Sequence, residues 1–124
     1  MIAAETSSLV AFFGGENGAD VDKVAVAIAA GELVLPPVVL TEILSDPKAG
    51  ETLESELSLL ILLDADEGHW MRAAQSRRLL YRKRLKAKVA DALIAQSCID
   101  HDVALITRDR DFRHFAEHYG LRLA

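Results

Sequence analysis

Apolar residues recur along this chain in two rhythms, and the alternation between them predicts the architecture. Short continuous runs at 2–4, Leu33–Leu35, Val103–Thr107 and Leu121–Leu123 read as strands, each bounded by polar or breaking residues. Between them the apolar positions fall three and four apart. Val21, Val24, Ala25 and Ile28 mark a helix over 20–30 that stops at Gly31. Trp70, Ala73, Ala74, Leu80 and Tyr81 mark the inward face of a long helix over 66–84. Ala92, Leu93, Ala95 and Ile99 do the same for Val89–His101, and Phe112–His118 forms the last helix. Thr6, Ser7 and Ser8 offer capping hydroxyls to a helix Leu9–Phe13, which Gly14-Gly15 ends. Pro36-Pro37 opens a helix through Ser45, because proline is tolerated in a first turn, and Asp46-Pro47 closes it.

The stretch 48–63 supports two readings. ETLESELSLLILL fits one long helix, or a helix at 50–57 followed by a buried strand at 59–63, and the second is preferred. Strands alternating with helices through short connections predict a single three-layer α/β/α domain over 1–124, its central sheet mainly parallel.

Composition narrows the setting. At 124 residues, 51% of them hydrophobic, the chain can bury a core of Ala, Leu, Val and Ile with few aromatics. No run reaches the roughly 18 apolar residues of a membrane span, and the first residues lack the basic flank of a signal peptide. Cys98 stands alone, so no internal disulfide or thiolate zinc cluster is available, and a reducing cytoplasm is the expected compartment. The net charge of −5 speaks against a nucleic-acid partner, but its distribution does not. RRLLYRKRLKAK, residues 77–88, holds seven of the fourteen basic residues. Such a stripe is either a solvated helix face or a phosphate-binding surface.

Four carboxylates occupy comparable places at element ends. Glu5 ends the first strand, Asp109 follows the strand 103–107, Asp91 starts the helix at 90, and Glu42 lies on the helix 37–45. In a parallel sheet the carboxyl ends of strands share one edge with the helix starts, so these acids can meet. Clustered carboxylates raise each other's pKa unless a cation joins them. Oxygen-only ligation suits Mg²⁺ or Mn²⁺. Each acid also has an ordinary reading: Asp91, Asp109 and Glu5 as helix caps, Glu42 as an exposed helix residue, Asp111 as a surface partner of Arg108 or Arg113. Thr6, Ser7 and Thr107 lie beside the proposed site, where they can hold a carboxylate or simply cap and close strand ends. Arg108 and Arg110 are expected to face solvent or substrate. His114 and His118, four apart on one helix, read as surface imidazoles for want of a third zinc ligand.

On these residues the chain resembles the PIN-domain nucleases, and among them the VapC-type toxins of bacterial toxin–antitoxin pairs. The resemblance rests on ETSSLVAFF (5–13), LPPVVLTEILSDP (35–47), GHWMRAAQSRR (68–78) and KVADALIAQSCIDHDVALITRDRDF (88–112), which together cover nearly the whole chain. It implies a metal-dependent endoribonuclease, the toxin of a type II toxin–antitoxin system, that hydrolyses RNA to leave a 5′-phosphate and a 3′-hydroxyl. The carried-over catalytic positions are Glu5, Glu42, Asp91 and Asp109. Glu5, Asp91 and Asp109 would hold Mg²⁺ or Mn²⁺, Glu42 completing the cluster directly or through water, with Asp111 as an additional acid. Arg82, Lys83 and Arg84 are the candidate contacts to RNA. A homodimer and a VapB-type antitoxin are the implied partners, with the helices 21–29 and 38–44 as candidate surfaces.

Glu5 departs from the family pattern, which has Asp there. The added methylene moves the carboxylate by about one C–C bond, more than an ångström, against a catalytic tolerance of roughly 0.5 Å. The rival reading is therefore a PIN-like protein that binds antitoxin or RNA without cleaving. A phospho-receiver domain has a similar length and an acidic Mg²⁺ pocket, but only Asp64 and Asp66 match it in part, and no Lys follows Lys88.

Overall fold

The computed structural model describes residues Met1 to Ala124. Four parallel strands, β1 (Ile2–Ala4), β2 (Leu33–Leu35), β3 (Ile61–Leu62) and β4 (Ala104–Ile106), form one sheet in the order β3-β2-β1-β4. Ala3 lies opposite both Val34 and Leu105, which fixes the register of the central strands. Helices flank the sheet: α1 (Thr6–Phe13), α2 (Ala19–Ala29), α3 (Pro37–Leu44), α4 (Glu51–Ser58), α5 (Glu67–Arg82), α6 (Val89–His101) and α7 (Arg113–Tyr119). This is the three-layer α/β arrangement the two rhythms predict.

The chain builds outward from β1 through β2 to β3, then returns by α5 and α6 to place β4 on the other side of β1. Strand order therefore reverses between β1 and β4. In open parallel sheets the crevice at such a switch point, beyond the carboxyl ends of the strands, is where ligands bind. β1 is lined by fully buried Ala3 and Ala4, and every residue of β2 is buried, as strands covered on both faces require. The core continues through Leu9, Val39, Leu80, Ile94, Leu105, Phe112 and Phe115.

Several boundaries differ from expectation for identifiable reasons. Glu5, not the hydroxyls after it, is the N-cap of α1, its carboxylate accepting from the Ser7 amide at 3.0 Å. Thr6–Ser8 are thereby freed to act from the helix's first turn. β3 is a two-residue edge strand rather than a buried one of five, and Ile61 is 58% exposed. The last predicted strand shrinks to a single parallel bridge, Leu105 to Leu123, with Ala124 N donating to Leu105 O at 2.9 Å.

The face of α5 is also rotated. His69, Ala73, Ser76 and Leu80 point inward, while Trp70, Ala74 and Tyr81 lie outside. Small Ala73 and Ser76 let α5 pack along α6, and the Ser76 hydroxyl is satisfied by the Ala73 carbonyl at 3.0 Å. His114 is buried rather than at the surface. A short 3-10 turn, Arg110–Phe112, precedes α7 and drives Phe112 into the core.

Candidate metal centre at the switch point

Glu5 follows β1 directly, and its backbone extends the ladder by donating to Ile106 O at 3.0 Å. Its side chain is 4% exposed and held through one oxygen. Oε1 accepts from the Ser7 amide, from the Ser7 hydroxyl, and from Thr107 Oγ1 at 2.7 Å. Thr107 Oγ1 in turn accepts from the Asp109 amide at 3.0 Å. One threonine thus links the ends of β1 and β4, residues far apart in sequence. Asp109 caps the 3-10 turn, its Oδ1 accepting from the Asp111 amide at 2.9 Å. Glu5 and Asp109 are thus both caps of the elements that follow them.

Asp91 behaves differently. It is the third residue of α6, buried, and its Oδ2 has no hydrogen-bond partner. It is no cap, because Lys88 occupies that position. Carboxylate oxygens of Asp91, Asp109 and Asp111 all lie within 4.8 Å of one another. Burial first, then the charges of Asp109 and Glu5, push the Asp91 carboxyl up from its ordinary 3.8 to about 6, with Glu42 adding to the rise and Lys88 opposing it. An anion buried beside two others without a donor is strongly destabilising. Three hard oxygen donors converging on that point fit a divalent cation such as Mg²⁺ or Mn²⁺.

The tightest acidic set is therefore Asp91, Asp109 and Asp111, with Glu5 behind it on its three donors. Glu42 stands on the exposed side of α3, where its Oε1 accepts from Thr6 Oγ1 at 2.6 Å. Thr6 thus holds Glu42, while Ser7 and Thr107 hold Glu5.

The basic stretch divides. Arg82, Lys83 and Arg84 are exposed at the end of α5 and the turn after it, and none forms an ion pair with the acids. Lys86 does: its Nζ lies 3.5 Å from Asp111 Oδ2, in place of the Arg108 or Arg113 partner expected for that acid. Lys86 and Lys88 belong to the stretch 77–88 read as a candidate phosphate surface, but their closeness to the acids goes beyond that reading. Their signal was position, within five residues ahead of Asp91 in KAKVAD. Arg108 is exposed, as expected, yet it is not free: it grips Asp20 through two hydrogen bonds of 2.8 and 3.0 Å.

Fold and cluster together define the class. A PIN-domain family profile matches residues 2–118, and the chain belongs to the PIN-domain family. Two solved structures have the same fold. The crystal structure of VapBC2 from Rickettsia felis, bound to a DNA fragment from their promoter, matches at a TM-score of 0.75 and 21% identity, covering 100% of this chain and 98% of that one. The structure of FitAcB from Neisseria gonorrhoeae matches at 0.73 and 16% identity, covering 99% and 96%. No curated protein matches the sequence.

Proposed function

We propose that this protein is a metal-dependent endoribonuclease, the toxin of a type II toxin–antitoxin pair, acting in the cytoplasm with Mg²⁺ or Mn²⁺. The observation that carries the proposal is the buried, partnerless Asp91 carboxylate facing Asp109 and Asp111 at the β1–β4 switch point. A divalent ion there, when bound, supplies a Lewis acid for the phosphodiester and an activated water. The protein's own contribution is to hold Asp91 on the rigid start of α6 and Asp109 on a capped turn. Glu5 is oriented through Oε1, and Glu42 by Thr6, so each carboxylate acts from a fixed place. Lys86 and Lys88 provide positive charge at the mouth of an otherwise anionic site, so a polyanion can approach. Arg82, Lys83 and Arg84 extend that charge along the surface.

Glu5 bears on the rival reading. Its extra methylene is accommodated by folding the carboxylate onto the first turn of α1, where two donors of Ser7 fix it, with Thr107 as a third from the end of β4. That supports an active site that works with Glu in this position. The test is cleavage of labelled RNA with Mg²⁺ or Mn²⁺, with EDTA controls, comparing the wild type with Glu5→Asp and Asp91→Asn. Metal-dependent cutting by the first two and none by the third is expected. Cutting by Glu5→Asp alone would favour the binding-only reading.

A cavity of about 580 Å³ supports the antitoxin partner. Phe12, Phe13, Ile28, Leu33, Leu59 and Ile61 line it, from α1, α2, β2, the end of α4 and β3. An apolar arm of a VapB-type partner fits such a groove better than RNA does. Of the two helices expected to offer surfaces, α2 leaves Val26 and Ile28 outside, whereas α3 turns Val39 and Ile43 into the core. The exposed Trp70 and Val89 of α5 and α6 are the candidate surface for a homodimer.

A further inference from the structure

The loop that carries Thr107 and Asp109 is clamped from outside the acidic cluster. Arg108, between them, donates from Nε to Asp20 Oδ2 at 2.8 Å and from Nη2 to Asp20 Oδ1 at 3.0 Å, a two-pronged fork across a gap of 88 residues. Its Nη2 also reaches the Asn17 carbonyl at 3.4 Å, and Glu16 lies 3.6 Å from Nη1. The other side of Asp20 is held by the Ser8 hydroxyl at 2.8 Å. The Arg108 amide donates to Ser7 Oγ at 3.4 Å, and Ser7 in turn donates to Glu5. Asp20 sits well below the usual carboxylate range because Arg108 bonds to it, so the fork is charged on both sides at any working pH.

Gly18 shows how closely this joint is built. Its φ is +154°, and a Cβ there would come within 2.6 Å of Asp20 Oδ1 and 3.1 Å of Arg108 Nη2. The backbone conformation strains any other residue, and a side chain would press on the ends of both partners. Neither side chain hydrogen-bonds or ion-pairs with Asp91, Asp109 or Asp111, while Thr107 and Asp109, the two residues beside Arg108, belong to the candidate site. We propose that Arg108 and Asp20 form a positioning pair that ties the Thr107–Asp109 loop to the start of α2 and thereby sets where Asp109 and Glu5 present their oxygens.

The inference rests on the metal-centre reading and makes a prediction of opposite sign to simple electrostatics. Removing a cation near an acidic site should tighten cation binding. If the fork positions the loop, Arg108→Ala should instead weaken it, by about tenfold, as loss of an orienting partner does at metal sites. Mn²⁺ affinity is measured by calorimetry on the wild type, Arg108→Ala, Arg108→Lys and Asp20→Asn, with thermal midpoints to confirm folding. Arg108→Ala and Asp20→Asn should both weaken binding, Arg108→Lys less so. Affinity unchanged or tightened in Arg108→Ala overturns the proposal, as does weakening in Arg108→Ala that Asp20→Asn does not share. Amide hydrogen exchange at Asp109 and Asp111 provides a second measurement. Both amides should exchange faster in either variant, and unaltered exchange counts against the pair. Should the wild type bind no Mn²⁺, the metal centre fails as a reading, and the clamp is judged by exchange alone.

Discussion

Asp91 concentrates the chemistry of this molecule in one side chain. Its carboxyl is raised to about 6 because burial and the charges of Asp109 and Glu5 disfavour the anion. A folded-state value above the unfolded one means that the folded protein holds the proton more tightly. The stabilisation is complete below about pH 4 and is lost as pH rises through about 6. In EDTA, the wild type should therefore lose stability across that window, and Asp91→Asn should lack that part of the slope. At pH 7 in EDTA the variant should melt higher than the wild type by roughly a few degrees, although it should no longer bind Mn²⁺. For the wild type, Mn²⁺ affinity should rise with pH up to about 6 and then level, because the ligand must first lose its proton. Calorimetry at a series of pH values checks both signs.

The α5–α6 pair shows what the elements contribute. Asp100 near the end of α6 is a hub that accepts from Arg72 Nε at 3.0 Å, Arg72 Nη2 at 2.8 Å and Gln96 Nε2 at 2.8 Å, with His69 Nδ1 at 3.4 Å. Arg72 also reaches Asp66, the cap of α5, at 2.7 Å. At the opposite end, Arg77 Nε donates to the Ala87 carbonyl at 2.8 Å while its guanidinium lies over the Tyr81 ring. That contact anchors the loop bearing Lys86 and Lys88. The two ends should respond differently to mutation. Asp100→Ala should lower the thermal midpoint by about 5 °C while leaving cleavage by the folded protein unchanged. Arg77→Ala should chiefly raise KM for RNA, because the loop loses its anchor. Lys86→Ala should reduce the salt slope of RNA binding by about 0.7, the value for one phosphate contact on a single strand. An unchanged slope would remove Lys86 from the RNA surface.

At the scale of the whole molecule, the alternating rhythms were enough for the layers and the parallel sheet, because buried parallel strands leave continuous apolar runs such as Leu33–Leu35. The approach of Asp91 to Asp109 is legible for a different reason: one starts a helix and the other follows a strand on the same edge. The closeness of Asp111 to Asp109 is not legible, because spacing along the chain hides how a 3-10 turn brings its oxygen back. The face of α5 was misjudged because Trp70 and Tyr81 are apolar by composition, whereas packing selected the small residues Ala73 and Ser76. The exposure of Arg108 is legible in the sequence, but its pairing with Asp20 is not, because the partner is 88 residues away and no local pattern announces such a pair.

The long span between the two halves of the site has a consequence during synthesis. β1 emerges from the ribosome first, yet β4 and the turn holding Asp109 and Asp111 come after nearly all the rest. A nascent chain that has reached His101 already contains Glu5, Glu42 and Asp91, but Thr107 is not yet there to bond Glu5, and two of the three converging acids are missing. On the proposed function, a chain stopped at that point would lack the site needed to cut RNA. Its edge is assembled last.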